Sequence, residues 1–196
     1  MSSVVDFRTY VASGPVPTLV LLDLQQDCLL GARRLDLDHS ARALDNCREA
    51  LAHARRMGFP IAFVRRSRQA SAFRPAAALA RWIERFEPRG SEMVFERDKP
   101  SCFASPLFAD VMATSGGPIV LAGFSGESAC LSTAIDAFHR GHDFTFLTDA
   151  SASRAVGGAE AGQVHALLTQ VIRLYGEVAD TERWVKSTMA KRACGS

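Results

Sequence analysis

The chain has 196 residues, 47% of them apolar and 22% charged, and 23 Lys plus Arg against 21 Asp plus Glu leave a formal charge of +2. That composition fits a soluble globular protein of one domain, and without a basic block it speaks against a nucleic-acid or anionic-membrane surface. No run nears the roughly 18 apolar residues of a membrane span, and no basic stretch followed by an apolar segment opens the chain, so a cytoplasmic location is expected.

Residues 1–17 carry Gly14, Pro15 and Pro17 without sustained periodicity and read as an N-terminal arm, which leaves 18–190 as the domain. Thr18-Leu19-Val20-Leu21-Leu22-Asp23-Leu24 is a nearly continuous apolar run of strand length, the pattern of a strand buried on both faces of a parallel sheet. Leu44, Cys47, Leu51 and Ala54 recur at helical spacing after a capping candidate, Asp38, and Gly58-Phe59-Pro60 ends that helix. Ile61-Ala62-Phe63-Val64 gives a second strand. Residues 70–87 read as a loop plus a helix carrying Leu79, Trp82, Ile83 and Phe86, and Met93-Val94-Phe95 as a weaker third strand.

A helix through Leu107, Phe108, Val111 and Met112 precedes the Gly116-Gly117-Pro118 break and the strand Ile119-Val120-Leu121-Ala122. After a Gly-bearing turn, Leu131, Ala134, Ile135 and Phe138 share one helix face, Gly141 ends the helix, and Phe144-Thr145-Phe146-Leu147 is a strand followed by the polar Asp149. Val164, Leu167, Leu168, Val171, Leu174 and Tyr175 mark what reads as the longest amphipathic helix, closed by Gly176 before a short strand near Val178. This repeated alternation predicts an α/β fold: a single doubly wound, mostly parallel sheet with helices on both faces and functional groups at the carboxyl ends of its strands.

Three places meet that rule: Asp23 at the end of the first strand, Lys99 just past the third, and Gly123 to Cys130 between the fourth strand and its helix. Burying an unpaired polar group costs roughly 2 to 7 kcal/mol, and a charge more, so Lys99 is expected to pair with Asp23. A plainer reading has Asp23 capping a turn with Gln25 and Gln26 while Lys99 is solvated. Five cysteines (Cys28, Cys47, Cys102, Cys130, Cys194) are an odd number without a C-x-x-C, which disfavours a disulfide framework or a structural zinc site. Cys130 by itself reads as a small buried hydrophobe on a helix face sooner than as a nucleophile. Arg65, Arg66 and Arg68 form either a weak anion site or a solvated cluster, and Trp82 with Phe86 either wall a pocket or pack the core.

Leu19-Val20-Leu21-Leu22-Asp23-Leu24-Gln25-Gln26-Asp27 resembles the opening strand of the isochorismatase-like (cysteine hydrolase) superfamily. Asp98-Lys99-Pro100-Ser101-Cys102-Phe103 is similar to that family's Lys followed by Ser and Phe. Val120-Leu121-Ala122-Gly123-Phe124, Thr133-Ala134-Ile135-Asp136-Ala137 and Arg140-Gly141 resemble its nucleophile loop and helix, and Asp149-Ala150, His165 and Tyr175-Gly176-Glu177-Val178 its final third. The resemblance runs from about residue 18 to 185. It implies Asp23 as general acid and base, Lys99 as electrostatic partner, a Cys thiolate attacking an amide carbonyl, and a cis peptide at Phe124-Ser125. Backbone groups around Phe124, Ser125 and Ala129 would form the oxyanion or substrate cradle. A nucleophile at the first turn of a helix also fits elementary electrostatics, since the helix dipole lowers a thiol pKa there.

Counting six residues on from Gly123, or four back from Thr133, the nucleophile slot falls on Ala129, and Cys130 comes one residue late. One residue is about 100° of rotation on a helix. The isochorismatase branch resembles this chain in pairing a small residue at the slot with Cys-Leu, and that branch hydrolyses a vinyl ether without a covalent intermediate. The alternatives are a small-amide hydrolase using Cys130, one whose nucleophile was engineered to Ala129, or a catalytically silent binding protein of the same fold. The Asp-x-His metal pair of the nicotinamidase branch is replaced by Val64-Arg65-Arg66-Ser67-Arg68, so neither metal nor cofactor is expected. A small-molecule substrate and assembly into a homo-oligomer complete the expectation.

Overall fold

The computed structural model describes residues 16–30, 35, 37–66 and 78–194. Its strands are β1 (Thr18–Leu22), β2 (Ile61–Arg66), β3 (Met93–Arg97), β4 (Ile119–Phe124), β5 (Phe144–Ala152) and β6 (Glu177–Ala179). They form one sheet in the order β3-β2-β1-β4-β5-β6, and every neighbouring pair is parallel. The helices are α1 (Asp27–Leu30), α2 (Leu37–Met57), α3 (Pro106–Ser115), α4 (Leu131–His139), α5 (Ala161–Ile172) and α6 (Thr181–Cys194). Among the described residues no helix is long and apolar enough to cross a membrane.

All residues of β1 and β4 are buried, as central strands covered by helices on both faces require. Alternation along β1 feeds two cores. Leu19 and Leu21 join Leu44, Cys47 and Leu51 of α2 and Trp184 of α6 on one face. Val20 and Leu22 join Phe108 and Met112 of α3, Ala134 of α4 and Ile172 of α5 on the other. The direction of winding reverses between β1 and β4, and in open α/β sheets such a switch point leaves a crevice beyond the carboxyl ends of the two strands.

Several expected elements are corrected. Residues 78–87 form turns rather than a helix, because their backbone groups bind the loop after β1: Gln26 N–H donates to Arg81 O at 2.9 Å, Asp27 N–H to Leu79 O at 3.0 Å and Ile83 N–H to Leu24 O at 2.9 Å. The earlier part of that expected helix, and most of the expected arm, lie outside the described residues. Asp38 sits inside α2 instead of capping it. With 21 residues α2 is the longest described helix, while α5 stops at Ile172, where Tyr175 N–H turns back to Ile172 O at 2.9 Å. Helix α6 escaped the sequence because its inward stripe, Thr181, Trp184, Val185 and Thr188, is half polar. Asp149 Oδ1 secures its start by accepting from Thr181 N–H and Oγ1 at 2.8 Å each, and His53 Nε2 lies 2.7 Å from Thr188 Oγ1 further along.

Candidate active site

Leu22 pairs with Gly123, so Asp23 leaves β1 beside Phe124, the last residue of β4, at the switch point. Asp23 departs with φ 46°, a left-handed conformation that costs an L-residue about 1 to 2 kcal/mol. Its backbone is pinned there: the N–H donates to Val64 O at 2.9 Å, and the carbonyl accepts from Gln25 N–H at 2.7 Å and from Cys28 Sγ at 3.1 Å.

The Asp23 carboxylate is buried against a guanidinium. Arg97 Nη2 donates to Asp23 Oδ2 at 2.7 Å, and Arg97 Nη1 donates to the Lys99 carbonyl at 2.5 Å. The two side chains are 4% and 1% exposed, so this is a desolvated ion pair rather than a surface one. Where Lys99 was expected as the partner the structure puts Arg97; Lys99 is exposed on the bend after β3 and contributes its carbonyl. The pleat of β3 is the reason: Phe95 and Arg97 are buried while Val94 and Glu96 are exposed, and the strand ends before that row reaches residue 99. The signal in the sequence was this alternation, with Arg97 the cation on the same row as Phe95.

Across the switch point the Phe124–Ser125 peptide is cis, as the resemblance implied. Gly126–Cys130 then forms a π turn that runs without a break into α4, so 126–139 is one helix with a widened first turn. Ser125 O accepts from Cys130 N–H at 3.1 Å and from Ser128 N–H at 3.3 Å. Backbone N–H groups at such a helix start form the positive end of its dipole and suit a developing negative charge. The turn also holds a polar trio absent from the sequence reading: Ser125 Oγ donates to Glu127 Oε1 at 2.8 Å, and Arg154 pairs with the same carboxylate at 2.7 Å. Arg154 lies 27 residues further along, and no local pattern announces such a contact.

Ala129 and Cys130 are both buried in the core that faces α3, α4 and α5. The Cys130 sulfur lies 3.5 Å from the Gly123 carbonyl oxygen and 3.5 Å from Ser151 Oγ. Burial pushes its thiol up to about 12 in spite of the Ser151 hydrogen bond and its place at the helix start. Cys102 is similar: burial raises its thiol to about 12, and its N–H donates to Thr133 Oγ1 at 3.1 Å. In both, burial favours the neutral thiol over the thiolate.

Arg65, Trp82 and Phe86 have partners within the fold. Arg65 binds Glu96 Oε1 through Nη2 at 2.6 Å and lies over the Trp82 ring at 5.7 Å, while Trp82 packs edge-on to Phe63 at 5.5 Å and Phe86 is fully buried. Arg68 is outside the described residues. Beside the switch point, at the carboxyl end of β5, a cavity of about 350 Å³ is lined by Arg42, Asp149, Ser151, Ser153 and His165 among others. Asp23, Arg97 and Ala129 do not line it.

The chain is similar to an isochorismatase from Pseudomonas putida KT2440, with 27% identity, a TM-score of 0.77, and 85% of this chain and 89% of that one covered. It shares its fold with a cysteine hydrolase from Pseudomonas syringae at 17% identity and a TM-score of 0.75, with 88% and 93% covered. The N-carbamoylsarcosine amidase from Thermoplasma acidophilum shares it at 20% identity and a TM-score of 0.67, with 84% and 96% covered. A comparison with curated proteins found no match. A family model described as the isochorismatase domain matches residues 17–183, most of the chain, and the chain belongs to the isochorismatase family.

Proposed function

We propose that the chain hydrolyses a small organic molecule by acid and base catalysis at Asp23, without a covalent enzyme intermediate. The observation that carries this reading is the pairing of an alanine at the nucleophile slot with a thiol, Cys130, that is fully buried behind it and pushed up to about 12. In this mechanism Asp23 moves the proton between water and the leaving group. Arg97 holds the carboxylate in place through the 2.7 Å contact, and the turn after the cis peptide offers backbone N–H groups to the charge that develops on the substrate. Lys99 enters only through its carbonyl.

A vinyl ether, as in the isochorismatase branch the sequence resembles, fits this chemistry because its cleavage needs a proton donor and water but no thiolate. Profiling the purified protein against isochorismate and a panel of small amides, with products identified by mass spectrometry, tests the proposal. Hydrolysis without a thiol requirement is expected, with the vinyl ether preferred. No turnover across the panel, with small-molecule binding retained, would favour a silent binding protein instead.

A further inference from the structure

Strand β5 does not run straight. Its pairing with β4 passes from Leu121 with Phe146 to Gly123 with Ser151, so a step of two residues on β4 is matched by a step of five on β5. The surplus residues bulge out of the ladder, and bulges often re-aim side chains near active sites. Their carbonyls are satisfied by side chains instead: Thr148 O by His165 Nε2 at 2.8 Å, Asp149 O by Asn46 Nδ2 at 2.8 Å and Ala150 O by Cys47 Sγ at 3.0 Å.

Past the bulge the chain delivers Ser153 and Arg154 against the turn at 125–130. Arg154 holds Glu127 with its N–H at 3.2 Å and its Nε at 2.8 Å, and reaches Ser125 Oγ with Nη2 at 3.3 Å. Ser153 Oγ lies 3.0 Å from His165 Nδ1. A carbonyl only accepts, so the His165 Nε2 that meets Thr148 O carries the hydrogen; in the neutral ring Nδ1 is then the acceptor and Ser153 the donor. Both atoms press on Gly126: a Cβ there would stand 2.6 Å from Ser153 Oγ and 3.1 Å from His165 Nδ1. Two consecutive residues of β5's exit thus grip two consecutive residues of the turn, one pair by close contact and the other by charge.

A π turn has weaker intrinsic support than an α turn, so the aim of its N–H groups depends on what holds it. We propose that Ser153, Arg154 and His165 form a positioning clamp, fixed to the β5 bulge through Thr148, that sets the direction of those N–H groups in front of Ala129. Arg154, which does not line the cavity beside the switch point, acts through the turn alone, while Ser153 and His165 also face that cavity. The proposal rests on the hydrolytic reading of this site, because it assigns the turn a part in catalysis.

The test uses Arg154→Ala and Ser153→Ala, with Arg154→Lys as the conservative variant that keeps the charge and loses the fork. On a substrate found in the panel, each alanine variant should lower kcat about tenfold or more, in line with the cost of misplacing a catalytic group by a fraction of an ångström to an ångström. KM should stay within about threefold, Arg154→Lys should fall between, and the double alanine variant should be little worse than the larger single. An unchanged kcat, or kcat, KM and thermal midpoint falling together, overturns the clamp. If the wild type turns over nothing, the hydrolytic reading has failed, and the clamp is then read by hydrogen exchange over 125–131. Faster exchange there in Arg154→Ala, with α6 unchanged, supports it; unchanged exchange refutes it.

Discussion

Asp23→Asn is expected to lower kcat/KM by about 10²- to 10⁴-fold, the range that a positioned general acid or base contributes. The amide is nearly isosteric and still accepts a hydrogen bond from Arg97, but it cannot take up or release a proton in the working range. The same change leaves the Arg97 guanidinium, 1% exposed, without its counter-charge. Breaking a buried pair in this way costs about 3 to 5 kcal/mol, so unfolding in urea should shift well below the wild type. Kinetics and stability must therefore be measured together, at a temperature where the variant remains folded. Near-wild-type turnover from a folded Asp23→Asn protein would remove Asp23 from the chemistry.

Gly123→Ala should be among the most destabilising single-methyl additions in this fold. Gly123 is the last residue of β4 paired with β1 and has φ +110°, and a Cβ there would lie 2.3 Å from Leu22 O and 2.6 Å from Leu22 N. Both atoms belong to the backbone of β1, so no rotamer relieves the contact; the two central strands must part. Strain at the unfavourable φ costs about 1 to 3 kcal/mol, and displacing packed core about 1 to 3 kcal/mol more. The expected loss, about 2 to 6 kcal/mol, is a large share of a typical stability of roughly 5 to 15 kcal/mol. A loss under about 1 kcal/mol by urea titration would show that the strands at the switch point are not held as closely as described. Gly126→Ala provides a contrast, because there the nearest atom is a serine hydroxyl.

The central strands were readable because a parallel sheet covered on both faces leaves continuous apolar runs, as in Leu19 to Leu22 and Ile119 to Ala122. Asp23 stood out as the charge that interrupts such a run. Arg97 did not, because the third strand was read only as Met93 to Phe95; the inward row set by Phe95 is what marks it. The segment at 78–87 carries helical spacing, yet its backbone is claimed by Leu24, Gln26 and Asp27, a tertiary demand that no local pattern encodes. The β5 bulge and the reach of Arg154 to Glu127 are equally non-local. The slot at Ala129 came from the family resemblance, counted from Gly123 and Thr133, and the buried thiol beside it agrees with the plainer reading of Cys130 as a small hydrophobe.

The central claim is that hydrolysis here needs Asp23 and no thiol. Cys130→Ser tests it most directly, with kcat/KM measured beside the wild type and intact masses recorded during turnover. The account predicts activity within a few-fold of wild type, a stability loss of about 1 to 2 kcal/mol for placing a hydroxyl where a thiol was buried, and no mass adduct on either protein. Loss of turnover in a folded Cys130→Ser protein, or an acyl adduct on Cys130 in the wild type, would contradict it.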